Sequence, residues 1–281
     1  MIRILAGASL FLLVGASLAA DTYTASVERW RAGREARLRS DAGWLTVSGL
    51  FWLKEGGQTI GSDSSNKIQL PAHSSPARLG VIEFHDGQAA LRYEDRAKGR
   101  IELKPDSTPE PTRIQLGDLT FWVIQRGDRY GIRLRDRQSS MRKEFTGCKW
   151  YPVKADHRVA ARFVPEQTTM RIPSIIGVTN EESSPGYVEF EMAGETIRLR
   201  PTGDMESLSF VFRDGTSGKS TYGAGRFLSA DGPKDGKVIL DFNRAYNPPC
   251  AFTPYATCPL PPRENRFKTP IEAGEKTYAG H

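Results

Sequence analysis

The stretch that most restricts how this chain folds is residues 241–265, DFNRAYNPPCAFTPYATCPLPPREN. Proline fixes φ, lacks an N–H and drives the residue before it out of the helical region. Pro248, Pro249, Pro254, Pro259, Pro261 and Pro262 therefore exclude a helix here, and each removes a donor from any central strand. A disordered tail is rich in Gly and Ser and poor in aromatics, whereas this stretch carries Tyr246, Phe252 and Tyr255, which need surfaces to pack on. An ordered, extended loop is expected. Two roles are open to it: a plug that staples the C-terminus to a β structure, or a binding or catalytic surface, since rigid loops on β scaffolds commonly hold function.

The other end of the chain predicts export. Met1-Ile2-Arg3 is a short positive segment, residues 4–16 are almost wholly apolar, and Ser17-Leu18-Ala19 has the small-x-small form of a cleavage site, so residues 1–19 read as a signal peptide. The apolar run is short for a membrane span, and no other long apolar segment follows. The mature protein is expected to be soluble, periplasmic or secreted. The 281 residues carry 39 Lys+Arg against 33 Asp+Glu, a net charge of +6 that falls to +5 when Arg3 leaves with the leader. The basic residues form no dense run, so no nucleic-acid partner is expected. In an oxidising compartment Cys250 and Cys258, seven residues apart, are the natural disulfide pair, with Cys148 left over; closing so local a loop contributes about 2 kcal/mol. Two reduced, packed thiols are the rival reading. The cysteine spacing and the four histidines do not suit zinc, and no metal or cofactor is expected.

Residues 20–42 predict an N-terminal helix, with Tyr23, Val27 and Trp30 on one face and Gly43 at its end. From Trp44 the period shortens. Runs at 44–53, 68–70, 80–85, 89–93, 100–103, 112–116, 119–125 and 130–135, divided by Gly, Pro, Asp and Ser, predict a β-sandwich over residues 43–136. The pattern breaks at RDRQSSMRKEFTGC, then resumes at 158–164, 168–172, 186–192, 195–200, 207–213, 220–228 and 237–242. Residues 137–281 are expected to form a second antiparallel β domain closed by the proline-rich loop. Met192-Ala193-Gly194-Glu195 and Arg213-Asp214-Gly215-Thr216 read as hairpin turns. The fold class is mainly β with one N-terminal helix.

Two resemblances add to this. The 241–265 stretch, followed by IEAGEK at 271–276 and accompanied by WLTVSGLFWLKEG at 44–56 and TYGAGRF at 221–227, resembles the signature of an uncharacterised prokaryotic family, a domain of unknown function; it implies membership and no activity. TIGSDSSNKIQLP at 59–71, GVIEFHDGQAALRYE and IQLGDLTFWVIQR at 114–126 resemble the strand order of forkhead-associated domains. That resemblance implies a sandwich, but Ser62 stands where the phosphate-binding arginine belongs, and Ser74, Ser75 and Arg78 do not reproduce the next loop's serine and histidine.

No catalytic set stands out. Gly218-Lys219-Ser220 lacks the first glycine of a phosphate loop and the helix that follows one. Ser64-x-x-Lys67 falls in a turn, and Asp156-His157 has no nucleophile elbow. The surviving candidates converge on the C-terminal stretch: Asn243, Arg244, Tyr246 and Asn247 at the end of a strand, Tyr222 and Arg226 on the strand before it, Tyr255 in the loop, and Arg263, Glu264 and Asn265 on its return. Arginines with tyrosines and amides suit a small anionic or polar ligand; the same residues equally suit a network that only holds the loop. The expected function is a ligand- or partner-binding envelope protein using the loop face. The alternatives are a hydrolase-type site around Arg244, Tyr246 and Glu264, and a phosphopeptide-binding sandwich.

Overall fold

The computed structural model describes residues 8–278, with side chains from Thr22 on. The predicted leader and its cleavage site thus lie outside the described side chains. Helix α1 (Ala8–Arg39) presents Val27, Arg31, Arg34 and Leu38 along one stripe. Val27 and Leu38 are buried apolar residues, but the two arginines between them do as much to seat the helix. Arg31 Nη2 donates to the Tyr151 carbonyl at 3.0 Å and Arg34 Nη2 to the Asn247 carbonyl at 2.8 Å. Beyond the helix the chain folds back over its last turn at Gly43, where only glycine fits: a Cβ there would lie 2.1 Å from the Leu38 carbonyl oxygen.

Nine strands follow. β1 (Val47–Trp52), β2 (Gly56–Gly61), β3 (Ile68–Gln69), β4 (Gly80–His85), β5 (Gln88–Tyr93), β6 (Arg100–Glu102), β7 (Arg113–Leu116), β8 (Leu119–Arg126) and β9 (Arg129–Asp136) form two sheets, ordered β3-β2-β4-β5-β6 and β1-β9-β8-β7. Only the β2–β3 pairing is parallel. Alternation turns Ile60, Ile82, Leu91, Phe121, Val123 and Ile132 into one core shared by both sheets, so this part is a two-layered sandwich. The β4–β5 hairpin turns on Asp86 and Gly87, both at positive φ, the conformation that two-residue hairpin loops require.

Helix α2 (Ser140–Lys143) occupies the predicted break. The second β unit comprises β10 (Arg158–Pro173), β11 (Thr179–Met192), β12 (Glu195–Leu199), β13 (Thr202–Gly203), β14 (Ser207–Phe212), β15 (Arg226–Asp231) and β16 (Lys237–Asp241). Its sheets, β12-β11-β10-β16 and β13-β14-β15, enclose Phe163, Val188, Phe190, Phe210, Phe212 and Phe242, each contributing about 1.5–3 kcal/mol by burial. Three local expectations change. The runs 158–164 and 168–172 are one strand, bulged between Pro165 and Thr168. β11 begins seven residues before the predicted Gly186, so the two make one long hairpin. Ala193 and Gly194 do form the expected tight turn, but Asp214 opens a long loop, because β15 starts only at Arg226.

Past β16 the chain makes no further strand within the described residues, only short 3-10 turns at Phe242–Arg244, Pro249–Ala251 and Arg263–Asn265. It is nonetheless packed throughout. Phe252 sits with Leu38, Leu45 and Phe145, Thr253 Oγ1 donates to the Val47 carbonyl at 2.8 Å, and Leu260 N donates to the Pro173 carbonyl at 2.7 Å. The proline-rich segment therefore does more than close the second unit. It is wedged among α1, the sandwich and the long hairpin.

Candidate functional site

Most of the polar residues expected to meet a ligand are used in holding this wedge. Arg226 is fully buried. It pairs with Asp214 at 3.1 Å and donates to the carbonyls of Ile271, at 3.0 Å, and Ala273. Asn243 donates to the Lys154 carbonyl at 2.8 Å and to Tyr23 Oη at 2.9 Å. Asn247 bonds Glu275 through both its backbone N–H and its side-chain amide, each at 3.0 Å, and Glu275 in turn pairs with Arg34 at 2.9 Å. Tyr222 Oη donates to the Cys250 carbonyl at 3.0 Å, and Tyr246 packs its ring against Trp30 and Phe227. Arg244 is held by Asp241 at 3.2 Å and Ser26 at 3.2 Å. Tyr255 is half-buried and accepts through its carbonyl from Arg133, while Arg263 and Glu264 are exposed. Asn265, 1% exposed, clips the segment to the second unit by bonding both backbone groups of Arg200 and the Val211 carbonyl.

An open space remains beside this network. A cavity of about 410 Å3 lies where the sandwich, the long hairpin and the proline-rich segment meet. Its walls follow from strand alternation. Past the bulge, Met170 and Ile172 of β10 lie opposite Glu182 and Asn180 of β11, and all four face the cavity. On β14, Leu208, Phe210 and Phe212 point into the core, which turns Ser209 and Val211 outward to the cavity with Thr202 of β13. The sandwich supplies Trp44 and Arg126, and the segment supplies Pro249, Thr257, Cys258, Pro259, Pro262 and Asn265. Of the ten residues expected to bind ligand, only Asn265 lines it. Arg244, Tyr246 and Glu264 do not, so the cavity gives the expected hydrolase-type set no common floor.

Charge is unevenly placed around this space. Arg126 forms a two-pronged pair with Asp106, at 3.0 and 2.9 Å, and its Nε donates to Thr257 Oγ1 at 3.1 Å. Arg200 pairs with Glu166 at 2.9 Å. Arg133 stands behind Thr257 and Trp44, its guanidinium 5.6 Å from the Trp44 ring centre. Burial, then the neighbouring Arg126 charge, push it down to about 10. Cys250 N–H donates to Cys258 Sγ at 3.2 Å. The two thiols are neighbours but free in this structure, so the expected disulfide is not formed here. Of the pair, Cys250 ionises first, because the Cys258 thiol donates to it. Cys148 lies apart, its thiol pushed up by burial and by Glu275.

On the sandwich, the loops that would receive a phosphopeptide are held by their own backbone: Ser62 N donates to the Pro76 carbonyl at 2.9 Å and Ser75 Oγ to the Pro71 carbonyl at 3.1 Å. Among the described residues no group of His, Cys, Asp or Glu is placed to hold a metal ion, and no helix is long and apolar enough to cross a membrane.

Sequence could have flagged Trp44, inside the 44–56 block, and Thr257, inside the proline-rich stretch. Arg126 closes the 114–126 block, but that resemblance points to the opposite loops of the sandwich, and Arg200 carries no signal, standing at a strand end like many other arginines in this chain.

Comparison with known proteins gives a family and no activity. No curated protein matches. Among solved structures, the chain is similar to an uncharacterized protein of Haloarcula marismortui determined by solution NMR, with 30% identity, 50% of this chain and 81% of that chain covered, and a TM-score of 0.42. Residues 143–276 match a family described as "Protein of unknown function (DUF1684)"; the match includes TYGAGRF and the proline-rich stretch and leaves residues 44–56 outside. Over these residues the chain belongs to that family.

Proposed function

We propose that this is an exported binding protein that holds a small ligand in the cavity beneath its proline-rich segment. The observation that carries this reading is the cavity: about 410 Å3, the size of small-molecule sites, with a mixed lining in which Met170, Ile172, Val211 and Phe227 stand beside Arg126, Arg200, Thr257 and Asn265. Of the hydrolase alternative's residues, Arg244 is paired with Asp241 and Tyr246 packs on Trp30 and Phe227, while Glu264 is exposed and outside this cavity, which favours binding over catalysis. Export rests on the leader sequence. In an oxidising compartment the adjacent Cys250 and Cys258 would close to a disulfide and fix the segment that forms one wall.

The test is a thermal-shift screen of small molecules on the full chain and on Ser209→Trp. Ser209 is exposed and its side chain turns to the cavity, so the indole fills the space without entering the core. A ligand present at a hundred times its Kd stabilises by about 2.7 kcal/mol. Hits are expected to raise the Tm of the wild type and to leave Ser209→Trp unmoved. Hits that raise both equally remove the cavity as the site.

A further inference from the structure

We infer that the ligand of this cavity is a monocarboxylate with an apolar body, its carboxylate seated on the Thr257 hydroxyl in front of Arg126 and Arg133; this rests on the binding reading above. The argument starts at Arg133. β9 alternates, so Ile132 and Leu134 enter the sandwich core while Arg133 leaves it toward the proline-rich segment. There it is only 4% exposed, yet it has no ion pair among the described residues. Its bonds are two long ones from Nη2, to the Tyr255 carbonyl and to Thr257 Oγ1, both at 3.3 Å, and its Nε has no acceptor. A buried guanidinium without a counter-charge is costly. The nearby carboxylate, Asp106, is already held on both oxygens by Arg126.

Thr257 converts this excess charge into a directed donor. A hydroxyl has two lone pairs and one proton. Thr257 Oγ1 accepts from Arg126 Nε and from Arg133 Nη2, which occupies both lone pairs. Its proton is left to donate, and no described group accepts it, while Thr257 itself lines the cavity. A hydroxyl polarised by two guanidiniums favours an ionised acceptor, because charge-assisted hydrogen bonds are the stronger kind.

Charge and shape then narrow the class. Arg126, Arg133 and Asp106 leave one positive charge to be balanced, and Arg200 is matched by Glu166. With Glu182, exposed on the hairpin, the cavity's surroundings carry no net charge, so the positive surplus is local to Thr257 and does not extend to a dianion. One negative charge is therefore favoured over a phosphate. Met170, Ile172, Val211 and Phe227 offer the rest of the molecule an apolar wall.

The test uses octanoate, phenylacetate and the neutral octanamide, titrated calorimetrically into the full chain, into Thr257→Val, which keeps the shape of the side chain, and into Ser209→Trp. At least one acid is expected to bind, octanamide about tenfold or more weaker than octanoate, and Thr257→Val is expected to lose about tenfold for the acid and little for the amide. Crystals soaked in bromide give a second readout that needs no organic ligand: anomalous density beside Thr257 Oγ1 is expected. Equal binding of acid and amide overturns the carboxylate inference and leaves the cavity reading standing. Acid binding that survives Ser209→Trp overturns the cavity reading itself. No binding of either acid, or no bromide at Thr257, overturns the inference.

Discussion

At the scale of single residues, Arg226 is the instructive case. It is polar, belongs to the TYGAGRF motif, and reads in the sequence as a ligand contact. Its side chain and that of Asp214 are both fully shielded from solvent. Asp214 is saturated as well: one oxygen takes Arg226 and the Ile271 N–H at 2.7 Å, the other takes the hydroxyls of Thr216 at 2.8 Å and Ser217 at 3.2 Å. Such a pair contributes little net stability against an apolar replacement, yet losing one partner leaves a bare buried charge that costs about 3–5 kcal/mol. Asp214→Asn is therefore expected to lower the urea-unfolding free energy by about 3 kcal/mol or more, and Arg226→Met, which also strands the Ile271 and Ala273 carbonyls, to cost at least as much. A single-variant loss below about 1 kcal/mol would resemble an exposed pair and contradict the buried one. Alternation along β15 was the signal that could have corrected the sequence reading. With Leu228 in the core, the residue two positions earlier also faces inward, whatever its charge.

Elements join through the same kind of pair. Arg34 of α1, Glu275 of the tail and Asn247 of the proline-rich segment meet at one carboxylate, 1% exposed on the Glu275 side. Arg34 also lies over the Tyr246 ring at 4.5 Å. Arg34→Ala removes the counter-charge and the stacking together. The expected loss is about 3 kcal/mol, with protease cutting near Lys276 appearing in the folded protein. A variant that loses stability while its tail stays protected would break the proposed link between α1 and the tail. The elements themselves were largely legible: where α1 ends, where the β pattern pauses, and that prolines leave the 241–265 stretch neither helical nor sheet-bound. The long β10–β11 hairpin was not. Pro165 sits at a bulge, and Ser183-Ser184-Pro185-Gly186 has turn composition inside a continuous strand. Local composition signals a break there, but pairing across the hairpin resumes on both sides of the bulge and keeps the strands whole.

The candidate site belongs to the whole molecule, which is why the sequence hid it. Trp44, Arg126, Met170, Ser209 and Thr257 come from five separated stretches and converge only once both β units are packed on the proline-rich segment. Whatever fixes that segment fixes the cavity, and the Cys250–Cys258 contact is the place where it can be fixed covalently. The contact is preset: a backbone N–H of one cysteine already bonds the other's sulfur, and both side chains are shielded from solvent. If the chain is exported as proposed, protein recovered from an oxidising compartment should give one titratable thiol after denaturation, Cys148, whereas protein made in a reducing cytoplasm should give all three. The oxidised form should be more stable by about 2 kcal/mol, and Cys250→Ser should erase that difference without altering the reduced protein's thermal midpoint by a comparable amount. Three free thiols in exported material would remove the disulfide. The segment would then be held by packing and its buried polar bonds alone, and the cavity wall would be as easily released at Pro249 and Pro259 as those bonds are broken.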